Sequence, residues 1–169
     1  IKNQKVGVLT GILYMAPYNL SGKNVCPAAS KGCAAACLNT AGRGAMNVVQ
    51  AARLKKTRRF FSNRNIFLFQ LCEELFPDVQ FYDYTKLDNR FTKGQLPANY
   101  HLTFSRAEDN DHKLKEVLKH TSAAVVFAGE LPKTWRGYPV IDGDEHDARF
   151  TDAGPGVIIG LIAKGKARH

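Results

Sequence analysis

The 169-residue sequence has no long apolar run, and no stretch approaches the ~20 residues that a membrane-spanning helix needs. Its first residues, IKNQKVGVLTG, also lack the apolar core of a signal peptide. We therefore expect a cytoplasmic protein with no membrane partner. In that reducing compartment cysteines serve more often as ligands than as disulfides.

Acidic residues are scarce relative to basic ones. There are 15 Asp and Glu against 24 Lys and Arg, which gives a formal charge of +9 and a pI of about 9.5. This excess favours a polyanionic partner, of which nucleic acid is the commonest. The alternative is a basic protein whose charges serve solubility alone.

The positive charge is densest in residues 47–61, which predict a helix. Five cations without an acid lie within seven positions: Arg53, Lys55, Lys56, Arg58 and Arg59. Such a run tracks a nucleic-acid backbone or holds the phosphates or carboxylate of a small ligand. It is equally typical of a solvated helix face.

The cysteines lack the second closely spaced pair of a zinc knuckle. Three of the four, Cys26, Cys33 and Cys37, instead form a C-x6-C-x3-C pattern in residues 24–44, the cysteine segment, among mostly small residues. Cys33 and Cys37 would share one face of a helical turn, and Pro27 and Gly32 let the preceding loop bring Cys26 back.

Three converging thiolates favour an iron–sulfur cluster, most simply a 4Fe–4S cluster with one open iron, over a zinc ion with a fourth non-cysteine ligand. Nearby Lys23, Lys31 and Arg43 would offset the negative charge of such a cluster. The candidate cofactor-binding residues are Arg43 and, from the basic helix that could hold the phosphates or carboxylate of a small ligand, Arg53 and Lys56. A disulfide and inert packing are the alternatives. Cys72, within an apolar run, is predicted to be a core residue.

The length suits one domain, residues 1–169, with a full hydrophobic core. Strands are predicted in residues 5–15, 78–84, 99–105, 123–127, 139–141 and 156–163, and helices in 47–61, 64–76 and 109–120. Apolar strands separated by helix-length segments predict an α/β fold with a mostly parallel sheet, in which the cysteine segment follows the first strand.

In parallel α/β folds, functional groups collect at the C-terminal ends of the strands. The candidate catalytic or substrate-binding residues that follow predicted strands are Ser105, Arg106, Asp142, Asp144 and His146. His101, on a strand with alternating neighbours, is predicted to be a core residue with satisfied hydrogen bonds.

Residues 142–147 hold four carboxylates and one imidazole, without the spacing of an EF-hand. Such a loop binds a divalent metal, supplies the fourth ligand of a cluster, or takes part in acid–base chemistry. The alternative is a surface turn whose acids pair with Arg149, Lys164 and the basic helix.

Several blocks together resemble the gene-product-88 family of phage proteins: NVCPAASKGCAAACLNTAGRG, ARLKKTRRFF, FYDYTK, NYHLTFSRAE, VIDGDEHDARF and VIIGLIAKGKAR. The resemblance implies a phage protein in the cytoplasm of an infected host cell. It also implies an additional strand before FYDYTK. Here Phe76 and Pro77 join the flanking segments directly, so either that insertion is lost or a segment is absent from the numbering.

The layout is also similar to that of radical S-adenosylmethionine enzymes, which implies a partial TIM-like barrel. Those enzymes bind their cluster through C-x3-C-x2-C, a spacing from which this chain departs. The sequence thus yields three hypotheses. The protein holds a cluster for radical or Lewis-acid chemistry, binds nucleic acid through residues 53–59 with a structural metal, or is a nuclease that uses Asp142, Asp144 and Asp147 with a divalent ion.

Overall fold

The structure, a computed structural model, describes residues 2–17, 20–37, 39, 42–63, 66–67, 70–92 and 96–164. The chain divides into two compact units. The sheet unit contains Ile1–Thr10 and Gln80–Lys164, and the cysteine unit contains Gly11–Val79. The single domain predicted over residues 1–169 stays a prediction.

Six strands form the sheet of the sheet unit, in the order β1-β2-β3-β6-β5-β4. They are β1 (Phe81–Thr85), β2 (Tyr100–Ser105), β3 (Ala123–Phe127), β4 (Thr134–Trp135), β5 (Tyr138–Asp142) and β6 (Ile158–Ile162). Every pairing is parallel except that of β4 with β5. The predicted α/β class with a mostly parallel sheet is therefore confirmed.

The strand order bears on the predicted partial barrel. A TIM-like barrel keeps its parallel strands side by side in chain order. Here β6 lies between β3 and β5, because it pairs with both. This insertion departs from the order that a partial barrel would have.

The hydrophobic core of the sheet unit lies between the central strands and a short helix, α3 (Leu114–Val117), which continues a 3-10 turn at Asp111–Lys113. Seven buried side chains form it: Phe104, Leu114, Val117, Leu118, Ala123, Val125 and Ile158. Full burial of each larger one stabilises the fold by about 1.5–3 kcal/mol. The predicted helix at 109–120 is confirmed in part, since the chain is 3-10 helical at Asp111–Lys113 and α-helical at Leu114–Val117.

A two-residue turn joins β4 to β5 at Arg136 and Gly137, with φ values of 51° and 82°. Two left-handed residues are typical of a type I′ turn, where Asn-Gly is preferred and Arg is unfavourable. Two contacts hold Arg136 there. Its guanidinium forms an ion pair with Asp111 and lies 4.4 Å from the centre of the Trp135 ring.

The cysteine unit is built from short helices around one long one. It contains α1 (Lys31–Ala35), a 3-10 turn at Gly42–Ala45, α2 (Asn47–Ser62) and a π-helical segment at Gln70–Leu75. Residues of high helix propensity form the middle of α2, at 50–56, and the helix predicted over 47–61 is confirmed. Asn63 then caps the next turn, since its Oδ1 accepts a hydrogen bond from the Ile66 amide at 3.1 Å.

The predicted helix at 64–76 is confirmed in part. The described residues of this stretch are helical at 66–67 and π-helical at Gln70–Leu75, while Arg64, Asn65, Leu68 and Phe69 lie outside the described residues. Cys72 is buried, as predicted, with 1% of its surface exposed. Burial, with a smaller contribution from Glu73, raises the pKa of its thiol.

The strand predicted in residues 5–15 is wrong, so the cysteine segment does not follow a strand. A 3-10 helix forms at Lys2–Val6, and residues 8–17, all of them described, belong to no strand. Gly7, with φ of 72°, ends the 3-10 turn. Asn3 then anchors the segment, because its amide donates to Thr10 at 2.7 Å and to Tyr82 at 3.1 Å and its Oδ1 accepts from the Asp147 amide.

Within the described parts of the chain, no helix has both the length and the apolar character that crossing a bilayer requires.

Candidate functional site

The three clustered cysteines lie on and around α1. The Cys26 amide donates to Asn24 Oδ1 at 2.8 Å, which fixes a turn ahead of the helix. Ser30 caps α1, since its hydroxyl accepts from the Cys33 amide at 3.1 Å. Cys26 is exposed, whereas Cys33 and Cys37 are half-buried. All four cysteines of the chain are thiols and not disulfides.

The placement of these thiols bears directly on the predicted metal site. Among the residues that the structure describes, no three His, Cys, Asp or Glu side chains are grouped so that they could hold a metal ion. The chemistry of the donor set suits a soft metal or a cluster. The three cysteine sulfurs are not grouped closely enough to bind one metal centre together, so the predicted cluster stays a prediction.

The cysteine unit has almost no apolar core in its described residues. Only Ala16 and Cys72 are buried apolar side chains there. Large apolar side chains are instead exposed, including Ile12, Leu13, Tyr14, Leu20, Met46, Val48, Ile66, Leu75, Phe76 and Val79. Burial of apolar surface is the main force that holds a domain together, so the described contacts of this unit provide little of it.

Polar contacts around Arg53 provide much of the packing in the cysteine unit. Arg53 is 9% exposed, its guanidinium lies 4.9 Å from the centre of the Tyr14 ring, and its Nη1 donates to Asn39 Oδ1. A Cβ at Gly44 would lie 3.2 Å from Arg53 Nη2 and 2.7 Å from the Asn39 carbonyl, so only glycine fits.

One turn along α2, the buried Thr57 hydroxyl accepts from the Ala16 amide at 2.8 Å and donates to the Arg53 carbonyl at 2.9 Å. Arg53 and Thr57 therefore hold this unit together from within. Arg53, predicted as a cofactor or nucleic-acid contact, is placed inside the unit. The other two predicted cofactor-binding residues differ, since Arg43 is exposed and Lys56 is half-buried.

The remaining cations of α2 form an exposed surface. Lys55, Arg58 and Arg59 are exposed and are spaced three and four residues apart, so they share one helix face. We call these three residues the basic face. Ala51 and Ala52, small and also exposed, continue it toward the start of the helix. Small side chains there let the helix backbone approach a partner closely.

The charge of the whole chain is unevenly divided. Residues 1–72 contain eleven Lys and Arg and no Asp or Glu, and the first acid is Glu73. The rest of the chain has thirteen cations against fifteen acids. The net charge of +9 therefore comes entirely from the part of the chain that carries the three clustered cysteines and the basic face.

The predicted residues after β2 take part in a structural network at the C-terminal end of the sheet. Arg106 Nε lies 2.7 Å from Asp111 Oδ1, and Arg136 pairs with the other oxygen of Asp111. The two guanidinium groups lower the pKa of Asp111 below its ordinary value. Ser105 contributes its carbonyl, which accepts from Asn110 Nδ2 at 3.0 Å.

The predicted acidic loop divides between the two ends of the sheet. At the C-terminal end, Asp142 Oδ1 accepts from the Asp144 amide at 2.7 Å, and Asp144 accepts from the Ile162 amide at 2.9 Å and pairs with Lys164. The interpretation of this loop as a turn whose acids pair with Lys164 is confirmed for Asp144. His146 instead faces Arg149, with 3.3 Å between its Nδ1 and Arg149 Nη2.

Sequence reasoning missed a buried polar group at the N-terminal end of the sheet. Arg149 and Asp152, from one turn, line a cavity there together with His101, which comes from β2. Burial lowers the pKa of His101 and raises that of Asp152, and Arg149 partly offsets the effect on Asp152. Burial also raises the pKa of the neighbouring Tyr84 to about 12. One available signal was the i, i+3 spacing of Arg149 and Asp152, which suits an ion pair inside one turn.

A family model described as Gene product 88 matches the chain in two overlapping segments, residues 1–75 and 68–169. The overlap lies directly before Phe76 and Pro77, where the resemblance implied a lost or absent insertion. In the structure this junction is a tight turn, since the Val79 amide donates to the Phe76 carbonyl at 3.1 Å. No curated protein and no solved structure matches the chain.

Proposed function

The chain belongs to the gene product 88 family of phage proteins, and we propose that it binds nucleic acid through the basic face of α2. The observation that carries this proposal is the absence of any acid before Glu73 in a stretch with eleven cations. A surface that attracts phosphates without local acids to compete for its cations is the expected electrostatic footprint of such a protein.

The geometry of α2 supports the proposal. The helix has 16 residues and presents Lys55, Arg58 and Arg59 on one exposed face, next to the small Ala51 and Ala52. An α-helix of this kind fits the major groove of duplex DNA, where cations reach the flanking phosphates. Because phosphate contacts carry no sequence information, we expect binding with little sequence preference.

The direct experiment measures binding of the purified protein to a fluorescent 20-base-pair duplex and to a single strand of the same sequence, at several salt concentrations. Counterion release predicts that the logarithm of the binding constant falls linearly with the logarithm of salt concentration. Failure to bind either nucleic acid at 50 mM salt, or binding that does not change with salt, would refute the proposal.

A thiolate-bound metal is the second element of the proposal, as the centre that organises the cysteine unit. Two observations support it: three thiols lie within twelve residues, and the described residues of the unit bury almost no apolar side chains. Small domains without a sufficient core commonly depend on a metal, and the ligands of such sites come together as the metal binds.

An iron–sulfur cluster is the first candidate for this centre and zinc is the second. Three thiolates suit a cluster with one open iron, and residues 1–72 contain no carboxylate that would complete a zinc site from within the same stretch. The C-x6-C-x3-C spacing departs from that of radical enzymes, so the proposal includes no S-adenosylmethionine chemistry. Lewis-acid chemistry at an open iron stays a prediction, as does the nuclease hypothesis.

The test of the metal is elemental analysis of anaerobically purified protein for iron, sulfide and zinc. We expect Cys26→Ser, Cys33→Ser and Cys37→Ser each to lower the metal content, whereas Cys72→Ala, the control outside the cysteine segment, leaves it unchanged. Equal metal content in a variant that lacks all three clustered thiols would refute this element. That result would not affect the nucleic-acid proposal, which its own binding measurement tests.

A further inference from the structure

A cavity of about 70 Å³ lies at the N-terminal end of the sheet, within the sheet unit. It is lined by residues that precede or begin three adjacent strands: His101 in β2, Ser122 before β3, and Asp152 before β6. Its volume is several times the ~10–15 Å³ that a single water requires. The cavity therefore has room for a small polyatomic ligand.

The side chains around this cavity have unused hydrogen-bonding capacity. Arg149, with 0% of its side chain exposed, has no hydrogen-bond partner for Nε among the described residues, and the buried Nε2 of His101 likewise has none. Arg149 Nη1 and Asp152 Oδ2 lie 3.1 Å apart, yet not in hydrogen-bond geometry, so both retain capacity. Buried polar atoms without partners are costly, which makes a bound polar group energetically favourable here.

The chemistry of the lining selects the ligand. Among the residues that line the cavity, Arg149, Ser122, His101 and His120 carry groups that can donate hydrogen bonds, and Asp152 is the one carboxylate. A ligand must therefore accept several hydrogen bonds and donate at least one. A tetrahedral oxyanion that carries a proton meets both requirements, whereas a fully deprotonated oxyanion places an oxygen lone pair against Asp152.

We propose that this cavity binds phosphate, as the free ion or as a phosphate monoester, with Arg149 and His101 as donors to its oxygens and Asp152 as the acceptor of its proton. The assignment concerns the sheet unit alone and does not depend on the nucleic-acid proposal. Asp152 sets the selectivity, because sulfate has the same shape and charge range but carries no proton at neutral pH.

The test is calorimetric titration of the full chain at pH 7 with inorganic phosphate, sulfate and adenosine 5′-monophosphate. We expect phosphate to bind at least about tenfold more tightly than sulfate, since a hydrogen bond to a charged group contributes about 1.5–3 kcal/mol. Binding of the nucleotide as well would show that the site accepts phosphate monoesters, and binding of inorganic phosphate alone would show that it is specific for the free ion.

Asp152→Asn provides the sharper readout, because the amide can donate to a sulfate oxygen. We expect this variant to lose the preference for phosphate and to bind both ions within about twofold of each other. Asp147→Asn is the matched control, since Asp147 is exposed on the same segment and does not line the cavity. It should keep the phosphate preference of the unaltered protein.

Three results would overturn the assignment. They are the absence of heat with 10 mM phosphate, equal affinities for phosphate and sulfate in the unaltered chain, and a crystal structure grown with phosphate that shows ordered water alone in the cavity. Thermal melting of Asp152→Asn separates a folding defect from a binding defect. If the variant melts early, Ser122→Ala, which removes one neutral donor, should still lower phosphate affinity and leave the preference over sulfate intact.

Discussion

Neutralising part of the basic face should change the salt dependence of nucleic-acid binding by a calculable amount. The three exposed cations of α2, if each neutralises one phosphate of duplex DNA, predict a slope of about −2.7 for log K against log salt. Between 50 and 200 mM salt this corresponds to about a 40-fold loss of affinity. Arg58→Gln with Arg59→Gln leaves one contact, a slope of about −0.9 and only about a 3.5-fold loss.

Fluorescence anisotropy on a short duplex measures these slopes. Gln preserves helix propensity, so α2 should keep its helical content by circular dichroism. The matched control is Lys115→Gln with Lys133→Gln, which removes the same charge from two exposed sites of the sheet unit. A control that flattens the slope as much as the Arg58 and Arg59 variant does would show that the whole charge acts and that the basic face has no special role.

Three further outcomes follow from contacts within each unit. Thr57→Val should destabilise the cysteine unit by about 1–3 kcal/mol, because it leaves the Ala16 amide without its buried acceptor. Hydrogen exchange at the Ala16 amide measures this loss, and Thr57→Ser should restore the protection of that amide against exchange. Gly160→Ala should cost about 1–3 kcal/mol, since its Cβ would lie 2.8 Å from Leu131 Cδ2 and 2.9 Å from Val140 Cγ1; Gly154→Ala, which meets nothing within 4 Å, should be nearly neutral in the same denaturant titration. The guanidinium groups of Arg136 and Arg106 lower the pKa of Asp111 from 3.8, so Asp111 contributes stability that is present above pH 3.8 and is lost as pH falls through the lowered pKa. The melting temperatures of the unaltered chain and Asp111→Asn should therefore differ at pH 7 and converge in strong acid. An equal difference at both pH values would contradict this account.

The sequence predicted the elements whose apolar pattern is strong and local. The runs that became β3 and β6 are almost wholly aliphatic. The strand predicted in residues 5–15 was wrong because β-branched residues there compete with Gly7 and with the buried anchor Asn3. The bonds that Asn3 makes to Tyr82 and Asp147 cross long stretches of sequence and leave no local pattern.

The same distinction between local patterns and contacts of distant residues applies to the candidate site. The cationic run of α2 was visible, but the burial of Arg53 was not, because it depends on the contacts with Tyr14 and Asn39 that fold the chain back on the helix. The cavity was missed for a topological reason. His101 and Asp152 come together only because β6 inserts beside β3, and strand order is not encoded in any one segment.

The arginine at the β4–β5 turn has a consequence for the behaviour of the protein in acid. Its left-handed backbone relies on a partner whose negative charge disappears at low pH, so protonation of Asp111 removes one of the two contacts that hold Arg136 in place. Strand β4 is only two residues long and shields one side of β5. When β4 separates from β5, the backbone N–H and C=O groups of β5 can pair with a strand of another molecule. We therefore expect acid to cause self-association of the protein at a pH at which the sheet is still folded.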